Sequence, residues 1–190
     1  MRRLLLIVGA TILCATRGSA QSTNYILSVG VGGGASIPTG NGGNTVKTGY
    51  NGQAYALVQL PGFLALRFNF GYQKFEYQNV LNAPSGAQEI LSGVGGLQIN
   101  LLHGPVRPYL TAGVGAFDLR GLSDSSQGSQ ASKINFGIDA GAGLALALGR
   151  VSAFVEGRVQ NVYTKDGGFI KSAKQINVVP VTFGLAVGLF

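Results

Sequence analysis

From Phe63 to Gln73 the chain alternates strictly. Leu64, Leu66, Phe68, Phe70 and Tyr72 interleave with Ala65, Arg67, Asn69, Gly71 and Gln73. Side chains that alternate with period two line opposite faces of a β-strand, so this segment predicts a strand with one oily and one polar face. The same pattern predicts eight strands, at about 25–37, 49–60, 63–77, 89–101, 107–119, 133–148, 151–164 and 178–190. Each is long enough to cross a bilayer as a tilted strand.

The links between these strands alternate in length. Pro38 to Thr48, Asn79 to Gln88, Gly121 to Ser132 and Lys165 to Lys174 are long and polar, whereas Pro61-Gly62, 103–106 and Gly149-Arg150 are short. Short turns on one side and long loops on the other are the asymmetry of an up-and-down barrel in an outer membrane. The expected fold is all-β: an eight-stranded antiparallel transmembrane barrel with four extracellular loops and three periplasmic turns. Residues 21–190 fill this plan, leaving no stretch for a second, plug or peptidoglycan-binding domain.

Alternation alone does not say which face meets solvent. A soluble barrel would carry many charges outside, yet the expected strand interiors hold only Arg67, Asp139, Glu156 and Arg158. In the sixth strand Lys133, Asn135, Gly137, Asp139, Gly141, Gly143 and Ala145 share one parity. Ile134, Phe136, Ile138, Leu144, Leu146 and Leu148 share the other. Small residues suit the narrow lumen of an eight-stranded barrel, so the oily face is placed outward, against lipid. An unpaired charge in such a lumen is costly. The two-residue turn at 149–150 sets 141 opposite 158, which puts Asp139 one diagonal step from Arg158. Arg67 and Glu156 are left to pair across the lumen, giving a structural ion-pair network in a closed polar interior. The parity of the second strand stays open, and Phe190 falls on the parity opposite to Val179, Val181, Phe183, Leu185, Val187 and Leu189.

The N-terminus and the composition fit an exported chain. Arg2 and Arg3, the apolar run Leu4 to Ala15 and the small residues Gly18-Ser19-Ala20 read as a signal peptide over residues 1–20, cleaved before Gln21. Cys14 is the single cysteine, and Leu13 before it argues against lipoprotein acylation; cleavage would leave no thiol for a disulfide, a nucleophile or a metal. Cleavage also removes Arg2, Arg3 and Arg17 from fourteen basic residues, leaving eleven against seven acids, a net charge of +4. That is too little for a nucleic-acid footprint. Charged residues form 11% of the chain, against about 25% in soluble domains. No apolar run after the signal reaches membrane-helix length. An oily, charge-poor exported chain of this kind is solved by a closed barrel, which pairs every backbone donor and leaves no edge.

Several segments resemble the outer-membrane β-barrel domain family, the small porin-like relatives of the OmpX/Ail and OmpA transmembrane barrels. They are Arg107-Pro108-Tyr109-Leu110-Thr111-Ala112-Gly113-Val114-Gly115-Ala116, Phe136-Gly137-Ile138-Asp139-Ala140-Gly141-Ala142-Gly143, Phe154-Val155-Glu156-Gly157-Arg158 and Pro180-Val181-Thr182-Phe183-Gly184-Leu185. The glycine-rich first strand running into Ile37-Pro38-Thr39-Gly40 fits too. The resemblance spans the mature chain and implies fold and location. It implies little about function, because the family includes adhesins, structural barrels and uncharacterised members.

Catalytic chemistry has little to stand on. His103 is the single histidine and falls in a short turn beside Gly104-Pro105, with no serine and acid on its strand face. No cofactor or metal site is expected, since the acids are isolated. The run Gly32-Gly33-Gly34 lacks the following helix of a phosphate cradle and reads as a barrel bend. The loops and their edges carry Lys47, Arg120, Lys133, Lys165, Lys171 and Lys174 against Asp118, Asp124 and Asp166. Of these, Lys47, Lys165, Lys171 and Lys174 are the candidate anion contacts, for lipopolysaccharide phosphates or an anionic extracellular ligand; ordinary solvated loop charge accounts for them equally well. Tyr72, Phe75, Tyr77, Phe117, Tyr163 and Phe169 are expected in the outer aromatic girdle.

The expected protein is a monomeric, non-enzymatic outer-membrane barrel with a structural or adhesin-like surface role. Its partners would be outer-membrane lipids, lipopolysaccharide and, during insertion, the assembly machinery. A narrow porin, a soluble periplasmic lipid-binding barrel and a lipid A-modifying enzyme are the alternatives.

Overall fold

The computed structural model describes residues 25–39, 47–76, 87–121, 133–163 and 175–189. These residues form eight strands: β1 (Leu27–Thr39), β2 (Gly49–Gln59), β3 (Leu64–Glu76), β4 (Ala87–Asn100), β5 (Val106–Gly121), β6 (Lys133–Leu148), β7 (Val151–Tyr163) and β8 (Gln175–Gly188). Each pairs antiparallel with its sequence neighbour, and β8 pairs with β1 from Ser28–Gly188 to Thr39–Asn177, which closes the barrel. Closure leaves no strand edge with unpaired N–H and C=O groups. No helix among the described residues is long and apolar enough to cross a membrane, a fact that bears on helices alone.

The short turns are made possible by glycine. Gly62 and Gly149 sit at φ of 83° and 73°, a left-handed conformation that side-chain-bearing residues adopt only with strain. The Leu60 N–H donates to Leu64 O at 2.9 Å to close the first turn. The Gly149-Arg150 turn sets Gly141 opposite Arg158, the expected register.

The faces sort as the alternation requires. Ile134, Phe136, Ile138, Phe68, Phe70, Val159, Phe183 and Leu185 are exposed on the outer wall, and Phe70 keeps 67% of its surface open. The interior holds Arg67, Asp139, Glu156, Arg158, Gln53, Gln73 and Gln160, all buried. This is a soluble protein turned inside out. The parity of β2, open from sequence, is settled here: Asn51 and Gln53 are buried, Tyr55 packs on Phe154 across the lumen, and Tyr50 faces out beside Tyr72.

The strands differ from expectation mainly at the ends. β8 begins at Gln175 rather than 178, because Ile176 packs into the lumen and Asn161 pairs with Asn177. Residues 1–20, the proposed signal, lie outside the described residues, as do Lys165, Lys171, Lys174, Tyr77, Phe169 and Phe190.

Two expectations about the interior need correction. Phe75 and Phe117 are not girdle aromatics: they are 1% and 0% exposed and point into the lumen, where they cluster with Ile90, Val94, Leu119, Val162, Ile176 and Val178. The lumen is therefore not polar throughout. Its loop end is an apolar plug, because Gln73–Phe75 and Gly115–Phe117 continue the inward parity to the loop ends of β3 and β5, and the space there still has to be filled. Tyr72 and Tyr163 do face outward.

Candidate functional site

The lumen is filled in layers, and the middle layer holds the charges. Arg67 on β3 and Glu156 on β7 come from opposite walls, four strands apart. Arg67 Nη1 lies 2.6 Å from Glu156 Oε2, and Nη2 donates to Oε1 at 3.1 Å, a bidentate pair. The Glu156 carboxylate also accepts from Tyr109 Oη at 2.9 Å and Gln53 Nε2 at 3.3 Å, and Arg158 Nε stands 3.3 Å away. Arg158 bridges onward to Asp139 Oδ2 at 3.3 Å and donates to Gln53 Oε1 at 2.6 Å. All four sequence-named charges thus meet in one network, with side chains at most 4% exposed.

The layer is held by residues that charge alone did not single out. The Arg67 guanidinium carbon lies 4.2 Å from the Tyr55 ring centroid and 5.8 Å from that of Tyr109, close enough for cation–π attraction. Each tyrosine lies over a glycine that is its register partner: Tyr55 over Gly30, Tyr109 over Gly143. A Cβ added at Gly30 would stand 2.5 Å from Tyr55 Cε1, and one at Gly143 would meet the Tyr109 ring. The sequence signal was the pairing of inward aromatics with inward glycines, legible only once register is known. Toward the loop end Gln160 Nε2 donates to Asp139 Oδ2 at 2.8 Å. Gln73 Nε2 donates to Gln160 Oε1 at 2.6 Å, again joining β3 to β7 across the barrel.

The remaining sequence-named positions lie apart from this layer. Lys47 is exposed at the loop end. Nearby on the outer wall, Lys74 lies 3.8 Å from Glu89, and Arg120 2.8 Å from Asp118. These pairs offset part of the positive rim. His103 stacks on Phe63 at 4.8 Å between ring centroids, in the turn after β4. Gly32 and Gly34 let β1 approach β8: a Cβ at Gly32 would stand 2.6 Å from Phe183 O, and one at Gly34 would meet Val181 O. Among the described residues no three His, Cys, Asp or Glu side chains group to hold a metal.

No protein-family model matches the chain, and no curated protein matches it in sequence. Solved structures do match in fold. Neisserial surface protein A superposes with a TM-score of 0.65 at 17% identity, covering 86% of this chain and 97% of that one. Ail, the attachment invasion locus protein of Yersinia pestis, superposes at 0.54 with 15% identity, over 85% and 96% of the two chains. Ail in complex with the heparin analogue sucrose octasulfate gives 0.53 at 14% identity, with 85% and 96% covered. The chain thus shares the eight-stranded barrel fold of these surface proteins.

Proposed function

We propose that this chain, after loss of residues 1–20, is an integral barrel of a bacterial outer membrane whose lumen is a structural plug rather than a conduit. Its work is then done by the loops and the outer wall: a structural and surface-interaction role of the adhesin type, carried out by a monomer. The observation that carries the reading is the inversion of the wall. An exposed belt of Leu, Val, Ile and Phe surrounds a buried polar network, which is stable in lipid and unstable in water. The contacts of Arg67 with Glu156 and of Gln73 with Gln160 span the full bore, and the apolar cluster around Phe117 closes the loop end above them.

The loop cations support a polyanion as the surface ligand. Ail is known in complex with a heparin analogue, and this chain offers Lys47, Lys165, Lys171 and Lys174 in or beside its long connections. Lipopolysaccharide phosphates draw on the same chemistry. Cells displaying the protein should retain labelled heparin in low salt and release it as ionic strength rises. Replacing all four lysines with glutamine should abolish retention. Retention by the four-fold variant at wild-type level would contradict the loop reading. Catalysis is not part of this proposal.

A further inference from the structure

Through the middle of the wall, the strand that closes the barrel offers the lumen only glycine. β1 turns Gly30, Gly32 and Gly34 inward, and Gly184 of β8 stands opposite Gly32. Side chains from the strands on either side meet above this glycine floor. Tyr55 of β2 packs on Phe154 of β7, with ring centroids 5.4 Å apart. Gln53 of β2 donates Nε2 to Glu156 Oε1 of β7 at 3.3 Å and accepts from Arg158 Nη2 at 2.6 Å. Two whole strands, β1 and β8, lie between these partners.

Asn51 makes a similar reach one row nearer the loops. The register sets Asn51, Gly34, Thr182 and Glu156 in one row across β2, β1, β8 and β7. The Asn51 amide donates to Ala35 O at 2.8 Å and to Val181 O at 3.2 Å, and Thr182 Oγ1 donates to Asn51 Oδ1 at 2.9 Å. β2 is thereby tied to β8 across β1. A Cβ at Gly34 would meet Val181 O, so the glycine keeps this crossing clear.

Closing a barrel means choosing a register, and a glycine-rich strand specifies register weakly. A one-residue slip of β8 on β1 would flip every side chain across the wall. A two-residue slip keeps the lipid-facing and lumen-facing sets intact, so the inside-out wall does not resist it. Such a slip moves Thr182 by about 7 Å along the seam, beyond hydrogen-bond reach of Asn51. Pro180 or Gly184 would take its place, and neither carries a side-chain donor. Among the inward residues of β8 from Ile176 to Gly188, Thr182 alone has a polar side chain.

We propose that Asn51 and Thr182 are the register key of barrel closure. β2 reads the position of β8 across the glycine floor of β1 and selects one pairing between the first and last strands. The key acts when the barrel closes and is independent of what the loops bind.

The test uses the full chain carrying Cys14→Ser, folded into lipid vesicles, with cysteine pairs on the outer wall of the seam. Val31 stands opposite Leu185, and both are exposed. Val31→Cys with Leu185→Cys therefore reports the observed register. Val31→Cys paired with Phe183→Cys or with Val187→Cys reports a slip of two residues, since a disulfide needs Cα atoms within about 7 Å. Crosslinking after mild oxidation is read from the boiled, non-reduced band. In the parent the first pair should crosslink and the other two should not. Asn51→Leu should raise the ratio of slipped to observed crosslinks about tenfold, the scale of losing a few buried hydrogen bonds. Gln73→Leu removes a bridge between β3 and β7 away from the seam and should leave the ratio unchanged. An unchanged ratio in Asn51→Leu, or an equal rise in Gln73→Leu, would overturn the proposal. Should Asn51→Leu not insert, Thr182→Val, which removes the hydroxyl at nearly constant shape, must raise the ratio in the same way; an unchanged ratio there overturns it as well.

Discussion

Arg67 and Glu156 stand 89 residues apart in sequence and touch across the whole bore of the barrel, at 2.6 Å. The pair is buried, so each charge depends on the other. Removing one partner should cost about 3–5 kcal/mol. Glu156→Gln leaves Arg67 without a carboxylate and Arg158 with Asp139 alone. The double variant Arg67→Met with Glu156→Leu should be less destabilised than the sum of its singles, with a coupling of about 1 kcal/mol or more. Urea unfolding of the barrel in lipid vesicles measures this. Simple additivity would mean that the pair is not coupled.

Tyr109 lies over Gly143, and this close approach should leave no room for a side chain there. Gly143→Val drives a branched side chain into the Tyr109 ring and should destabilise the barrel by about 1–3 kcal/mol, the range for overpacking. Adding Tyr109→Ser should recover part of that loss, although Glu156 then loses a donor. The same urea experiment on the two variants decides it. A Gly143→Val protein as stable as the parent would show that the ring does not need the glycine.

Much of this was legible in the sequence, for an identifiable reason. Period-two alternation fixes which residues share a face, and a two-residue turn fixes the register beyond it. The diagonal from Asp139 to Arg158 followed from those rules, and Arg67 with Glu156 was then the pair left over. The supporting residues did not. Gln53, Gln160 and Tyr109 carry no charge, and their roles depend on which strands face each other across the bore. Phe75 and Phe117 looked like interface aromatics because they sit near strand ends. Inward parity overrode that position and made them the loop-end plug. Arg107, which shares the inward parity of the buried Tyr109, was not counted among the interior charges because it stands at the start of a strand, beside a turn.

The outward face should reject charge while the rim accepts it. Phe70 stands mid-strand on the outer wall, so Phe70→Arg should cost about 2–4 kcal/mol in a bilayer, as cations do at the midplane. Tyr50→Arg, near the loop end, should cost about 0–1 kcal/mol. Unfolding from vesicles separates the two, and equal costs would argue against a bilayer around this wall.

A plugged lumen also makes an electrical prediction. In planar bilayers the purified protein should insert without producing discrete conductance steps, because the Arg67–Glu156 layer and the Phe117 cluster both obstruct the path. Reproducible steps from the wild-type protein, absent from mock preparations, would favour a pore instead.

The central claim is a closed, inside-out barrel seated in the outer membrane. Cell fractionation followed by denaturing gel electrophoresis, unboiled and boiled, tests it most directly. The account predicts a band in the outer-membrane fraction whose mobility changes on boiling, as a detergent-resistant barrel opens. Recovery in the soluble periplasm, with the same mobility before and after boiling, would contradict it.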